Sequence, residues 1–197
     1  MKNSYHHGDL KQTLVDTLYE LVDSEPLERL TVRFLTDRLG VSRTAIYRHF
    51  PSKEALFAAV MQKAFDSLEA ALAEATSAAD PLQRLHDLGR AYLNFALRFP
   101  RHYRLMMNDQ WRAYRELGCS SCEDRGRGGA FEIVIDACKA AQTAGALREG
   151  DVQTQATAIW AMVHGIASLT IDGHLPAEEM ETLYESVFRM SCEGMCR

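Results

Sequence analysis

The sequence predicts an all-α protein: a small N-terminal unit of three helices with a helix-turn-helix, followed by a larger helical region. Three observations predict it. Apolar residues recur at spacings of three and four along most of the chain, no segment alternates polar and apolar residues between hairpin turns, and capping residues, Pro and Gly punctuate the helical stretches. No internal repeat is evident. Of the 197 residues 47% are hydrophobic and 25% charged, an ordinary globular composition with enough apolar mass for a substantial core. Only 5 Pro and 12 Gly are present, and no apolar run approaches the roughly 20 residues that span a bilayer. Disordered, collagen-like and membrane-spanning classes fall away.

The elements follow in order. Leu10, Leu14, Leu18 and Leu21 mark one face of a first helix, with Asp9 and Gln12 as its capping pair. A second short helix runs from the N-cap Thr31 to about Leu39, turns Val32, Leu35 and Leu39 inward and stops at Gly40. A third restarts almost at once under the cap of Ser42, buries Ile46 and Phe50, and ends at Pro51. Ser52 caps a long fourth helix whose apolar side is Leu56, Phe57, Val60, Ala64, Leu68 and Leu72, fading into small residues at 76–79. Asp80-Pro81 opens a fifth, and its stripe of Leu85, Leu88, Tyr92, Phe95 and Phe99 ends at Pro100. Tyr103, Met106 or Met107 and Trp111 predict a sixth. The Gly-rich, polar stretch 118–129 reads as a loop, and further helices are expected at about 130–144, 152–171 and 177–192. The boundary between the two parts is drawn after residue 53, giving domains 1–53 and 54–197.

Charge separates the two parts. The chain as a whole carries a formal charge of −5, which argues against a generally nucleic-acid-coated protein. Between Thr31 and Lys53, however, five cations (Arg33, Arg38, Arg43, Arg48 and Lys53) face only Asp37. Two short helices joined by a very tight turn, with these cations on the same segment, form a helix-turn-helix. In the second of them Ile46 and Phe50 hold the core, and the other side chains project outward. Arg43 and Thr44, in its first turn, are placed to reach base edges in a major groove, where Arg can contact guanine with two hydrogen bonds. Tyr47, His49 and Lys53 suit phosphates, as does the N-terminus of the helix capped by Thr31. Thr31, Arg33, Ser42, Arg43, Thr44, Ala45, Tyr47, Arg48, His49 and Lys53 are the candidate contacts to double-stranded DNA. Charge alone would sooner describe a solvated face of a small helical bundle; the combination of turn, caps and cations is what favours DNA.

Thr31 through Lys53, with Gly40-Val41-Ser42, Tyr47-Arg48-His49-Phe50 and Ser52-Lys53-Glu54-Ala55-Leu56, resembles the DNA-binding domain of TetR/AcrR-type transcriptional regulators. The likeness covers about residues 10–60. Tyr5-His6-His7-Gly8-Asp9-Leu10 and Trp160-Ala161-Met162-Val163-His164-Gly165 resemble, more narrowly, the branch whose C-terminal part is called a WHG domain. One departure is Thr36, where the family usually carries Ala at the close approach of the two motif helices; its hydroxyl is expected to bond back to a carbonyl of its own helix.

The resemblance implies that 54–197 form a helical effector-binding and dimerisation domain, with the last two helices building a four-helix interface. Ala156, Ile159, Val163 and Ile166 on one and Met180, Leu183, Val187 and Phe188 on the other are compatible with that, and equally with plain intrachain core. Two reading heads one helical turn of DNA apart call for a twofold dimer. The resemblance further implies a homodimeric repressor on a pseudo-palindromic operator, released by a small molecule, with no cofactor and no membrane partner. Its pocket is expected between the fourth helix and the helices carrying Phe95, Tyr103, Met107, Trp111 and Trp160, although each of these also fits plain core. His164 sits beside Gly165 in a helix interior, where Gly costs about 1 kcal/mol relative to Ala, and the pair points to a close helix approach, a ligand or a structural histidine.

Two other classes compete with this one. Cys119-x-x-Cys122 and Cys192-x-x-x-Cys196 suggest a thiol or metal sensor, but nothing in the sequence brings the pairs together and no His stands at the spacing of a closed zinc site. Cys138, in phase with Phe131 and Val134, reads as core. An enzyme built on His164, Asp172 and nearby carboxylates lacks support: there is no Gly-rich phosphate loop, no nucleophile elbow and no His-Glu-x-x-His. No catalytic residue and no metal ligand is assigned. The polar N-terminus, Met1 to Asp9, has no apolar centre of a secretory signal, and five cysteines, an odd number, suit reduced thiols; a cytoplasmic protein is expected.

Overall fold

The computed structural model describes residues 10–107 and 128–195, and among these it is all-α, with nine α-helices. Contacts divide the chain into two compact units. One falls within Met1–Phe65 and Arg101–Gly126, the other within Asp66–Pro100 and Arg127–Arg197.

In the first unit, α1 (Leu10–Ser24) buries the expected leucines together with Val15 and Val22. A single 3-10 turn, Leu27–Arg29, leads to α2 (Val32–Leu39), then α3 (Arg43–His49) and the opening of α4 (Lys53–Glu74). Their inward residues form one apolar cluster around Leu14, Leu18, Leu35, Ile46, Phe50, Leu56, Phe57 and Val60. Within it Leu35 alone is fully buried on α2; Val32 and Leu39 are half-buried, because so short a helix presents one narrow face. Asp9 lies outside the described residues, and the Gln12 amide donates instead to Asp16 Oδ1 at 2.9 Å, one turn along α1.

The first unit also takes in α6 (Pro100–Met107), whose Leu105 joins the same cluster. His102 on α6 is fully buried against α1: its Nε2 donates to the Tyr19 carbonyl at 2.8 Å and its ring lies 4.1 Å from the Tyr19 ring. His102 Nδ1 lies 2.9 Å from Asp23 Oδ1, close enough for an ion pair but without the alignment of a hydrogen bond. Trp111, placed by the sequence on this sixth helix, lies outside the described residues.

In the second unit, α5 (Pro81–Arg98), α7 (Gly128–Thr143) and α8 (Val152–Ile171) pack mutually, and α9 (Met180–Met195) lies against α8. Asp80 caps α5, its carboxylate accepting from the Leu82 and Gln83 N–H groups at 2.8 and 2.9 Å, with Pro81 in the first turn. Three details correct the sequence reading. Helix α7 starts at Gly128 rather than 130, taking in the end of the stretch expected as a loop, and a Cβ on Gly129 would fall 2.4 Å from the Glu69 carboxylate of α4. The last helix begins at Met180, because Pro176 first sets up a 3-10 turn at Ala177–Glu179. On α9 Leu183, Val187 and Phe188 are half-buried, while the enclosed residue is Tyr184, whose hydroxyl donates to the His86 carbonyl of α5 at 2.7 Å.

Gly165 makes a fourth correction. A Cβ there would meet nothing within 4 Å, so among the described residues no close helix approach occurs at this glycine.

Candidate nucleic-acid interface

Local chemistry builds the reading head. Thr31 Oγ1 accepts from the Phe34 N–H at 3.1 Å and starts α2. Gly40 ends it at φ 65°, in the left-handed region that a residue with a Cβ adopts at a cost, and its N–H closes on the Thr36 carbonyl. Two residues later Ser42 Oγ accepts from the Ala45 N–H at 3.1 Å and α3 begins. The Thr36 hydroxyl donates to the Arg33 carbonyl at 2.7 Å, the return to its own helix expected of a threonine at that position. Ser52 caps α4 in the same manner, accepting from the Ala55 N–H at 3.1 Å.

The side chains sort by face. Ile46 and Phe50 are buried and anchor α3, whereas Ser42, Arg43, Thr44, Tyr47 and Arg48 are exposed; Tyr47, at 47%, is one of the few large apolar side chains open to solvent. Thr31 and Arg33 are exposed on α2, where Arg33 Nε lies 3.9 Å from Asp37, a fully hydrated pair of little energetic weight. Two of the candidates differ from the outward placement read in the sequence. Ala45 is half-buried and packs on the core cluster, and His49 is half-buried with its Nε2 enclosed and, among the described residues, without a hydrogen-bond partner. Lys53 is half-buried along its stem, with its ammonium 5.0 Å from the centre of the Phe57 ring.

The second unit holds a narrow apolar cavity lined by Leu72, Leu85, Leu88, Gly89, Tyr92, Val134, Ile159, Trp160 and Val163. Of the residues proposed from sequence for an effector, Trp160 lines it, edge-on to Tyr92 and Phe131 at 5.1 and 5.5 Å. His164 is brought to its edge, with Nδ1 3.3 Å from the Tyr92 hydroxyl, and burial lowers its pKa from the ordinary 6.5. Phe95 packs against Phe99 instead, and Tyr103 and Met107 belong to the first unit. Trp111 lies outside the described residues. The lining leucines were legible as an inward stripe, but a stripe does not say where packing leaves a gap. Gly89 was missed: a Cβ there would sit 2.1 Å from the Tyr184 hydroxyl, so the glycine lets α5 and α9 meet.

Among the described residues no group of three or more His, Cys, Asp or Glu side chains could hold a metal ion. Cys119, Cys122 and Cys196, and the side chain of Cys192, lie outside what is described. Cys138 is buried, and desolvation pushes its thiol up to about 11, which makes it a poor nucleophile. Among the described residues no helix is long and apolar enough to cross a membrane.

A capped helix-turn-helix with an exposed, cationic second helix, followed by a larger helical unit, defines a DNA-binding regulator of the helix-turn-helix class. The chain belongs to the TetR family. The model of the bacterial regulatory proteins, tetR family, matches residues 14–60, and that of the tetracyclin repressor-like C-terminal domain matches residues 85–191. Its members are transcriptional regulators, not enzymes. Among curated proteins the chain is similar to the nucleoid occlusion factor SlmA of Marinobacter nauticus, 35% identical over 94 residues that make up 46% of this chain and 47% of that protein. It thus spans about half the length of the curated relatives it matches. Among solved structures, a protein of unknown function from Rhodococcus sp. RHA1 superposes with a TM-score of 0.80 at 24% identity, covering 100% of both chains. A TetR-family transcriptional regulator from Pectobacterium atrosepticum gives 0.73 at 22% identity, over 96% of this chain and 95% of that one. At such identities the likeness is one of fold.

Proposed function

We propose that the protein is a cytoplasmic homodimeric repressor that binds a pseudo-palindromic operator and is released by a small molecule. In this reading residues 1–53 read DNA and residues 54–197 bind the effector and pair the subunits. The observation that carries it is α3: Ser42 caps it, Ile46 and Phe50 seat it, and Arg43, Thr44, Tyr47 and Arg48 all stand exposed on it. A helix so presented fits a major groove, with Arg43 and Thr44 toward base edges and Tyr47, Arg48 and Lys53 toward phosphates.

Dimerisation has its own support. Ala158, Ala161 and Leu169 on α8 and Met190 on α9 are exposed, and Gly165 stands open among them, so a second copy's helices could approach closely there. For the effector, the cavity between α5, α7 and α8 is apolar and aromatic, with the Tyr92 hydroxyl and His164 as its polar handle. Leu72 of that cavity lies on α4, the helix that starts at Lys53 directly after α3, so a shift of α4 would change the separation of the two reading heads. Such coupling is reciprocal: operator must weaken effector binding by the factor by which effector weakens operator binding.

Selection of duplexes from a random DNA pool by the purified protein, with oligomeric state and salt dependence recorded, tests the reading. An inverted repeat enriched by a dimer, with affinity falling steeply in salt, is the expected result. A monomer, or no enrichment even at low salt, overturns it.

A further inference from the structure

We propose that Lys11, in the first turn of α1, is a phosphate-contacting residue of the DNA interface, which the helix-turn-helix itself does not contain. The inference rests on the reading of α3 as the recognition helix. Phe50 closes α3 and is buried in the core cluster, and the Lys11 ammonium stands 5.7 Å from the centre of its ring. On the other side of the Pro51 turn the Lys53 ammonium stands over Phe57, a member of the same cluster. Two ammonium groups, carried by two different helices, are therefore held against the aromatic rings that seat the C-terminal end of α3 and the start of α4.

That position needs cations. The C-terminal end of a helix carries a partial negative charge, which repels a phosphate brought close to it. Arg48 occupies the last turn of α3 and offsets part of this; Lys11 and Lys53 supply the rest from outside the helix. The charge is also unspent. Elsewhere in this unit Lys63 pairs with Asp16 and Arg29 with Glu25, whereas among the described residues no carboxylate pairs with Lys11, Arg48 or Lys53. Its place over the ring restrains the lysine side chain while N–H donors remain on the side away from the ring, so less side-chain freedom is lost when a phosphate arrives.

The test is equilibrium binding of the full chain to a selected operator duplex and to a scrambled duplex over a range of salt. For Lys11→Gln we expect affinity to fall by the same factor on both duplexes, about tenfold per subunit at 0.1 M salt, and the slope of log K against log salt to shrink by about 1 per subunit. Lys11→Arg should keep both values, which excludes a folding defect. Lys139→Gln, removing a lysine already paired with Asp136 in the other unit, should change neither. A Lys11→Gln protein with the unsubstituted salt slope overturns the proposal, and so does a loss confined to the operator. Absence of salt-dependent binding by the unsubstituted chain overturns the reading of α3 itself, and this proposal falls with it.

Discussion

Single side chains decide what a reading head can distinguish. Arg43, exposed in the first turn of α3, can give two hydrogen bonds to one guanine, and such a pair discriminates against a wrong base by about 1–3 kcal/mol. Arg43→Ala should therefore weaken operator binding and flatten base preference at one position of each half-site, whereas Tyr47→Phe should weaken all sequences alike. Competition binding with single-base operator variants checks this; a uniform loss for Arg43→Ala refutes the assignment. His164 acts through its charge state. Burial holds its pKa below 6.5, so as pH falls below that value the unfolded chain takes up the proton first and the folded state loses stability down to its own, lower pKa. Above 6.5 the residue contributes no pH dependence. Urea midpoints should drop more steeply from about pH 7 to about pH 5 in the unsubstituted protein than in His164→Gln, and parallel profiles would count against a buried neutral imidazole.

At the scale of elements, the legibility of the sequence depended on what the signal was. Caps and breakers act over three or four residues, so Thr31, Gly40, Ser42, Ser52 and Asp80-Pro81 gave boundaries that the helices respect closely. Contacts between helices far apart in sequence left no such mark. Nothing in the local pattern distinguishes His102, enclosed between α6 and α1, from a solvated histidine, nor Gly89 from a weak point in α5. Yet Gly89 is where α5 meets Tyr184 of α9, and an added methyl would collide with a hydroxyl that is buried and already bonded to the His86 carbonyl. Gly89→Ala should destabilise the protein by about 1–3 kcal/mol through overpacking, although alanine is the better helix former. Thermal melting that shows no loss, or a gain, would mean that Tyr184 swings aside freely.

At the scale of the whole molecule, the proposed function requires a second copy. Leu169 and Met190, exposed at 48% and 61%, are the apolar side chains whose burial a twofold partner would supply. Leu169→Glu with Met190→Glu should shift the mass in sedimentation from two chains of 22.2 kDa to one and abolish tight operator binding, while helix content by circular dichroism stays unchanged. A doubly substituted protein that still sediments as two chains would rule this face out. What the sequence determined by itself was of short range: the all-α class, the order of the helices, the caps at Thr31, Ser42, Ser52 and Asp80, and the cationic segment from Thr31 to Lys53. These rest on periodicity, capping and charge, which neighbouring residues settle among themselves. Only the tertiary structure decided that α6 packs with α1, that Tyr92 meets His164 beside Trp160, that His49 is half-enclosed and that Lys11 stands by Phe50. Each depends on which helix faces cover one another, and burial between distant segments is set by shape and volume across the whole core rather than by any local run of residues.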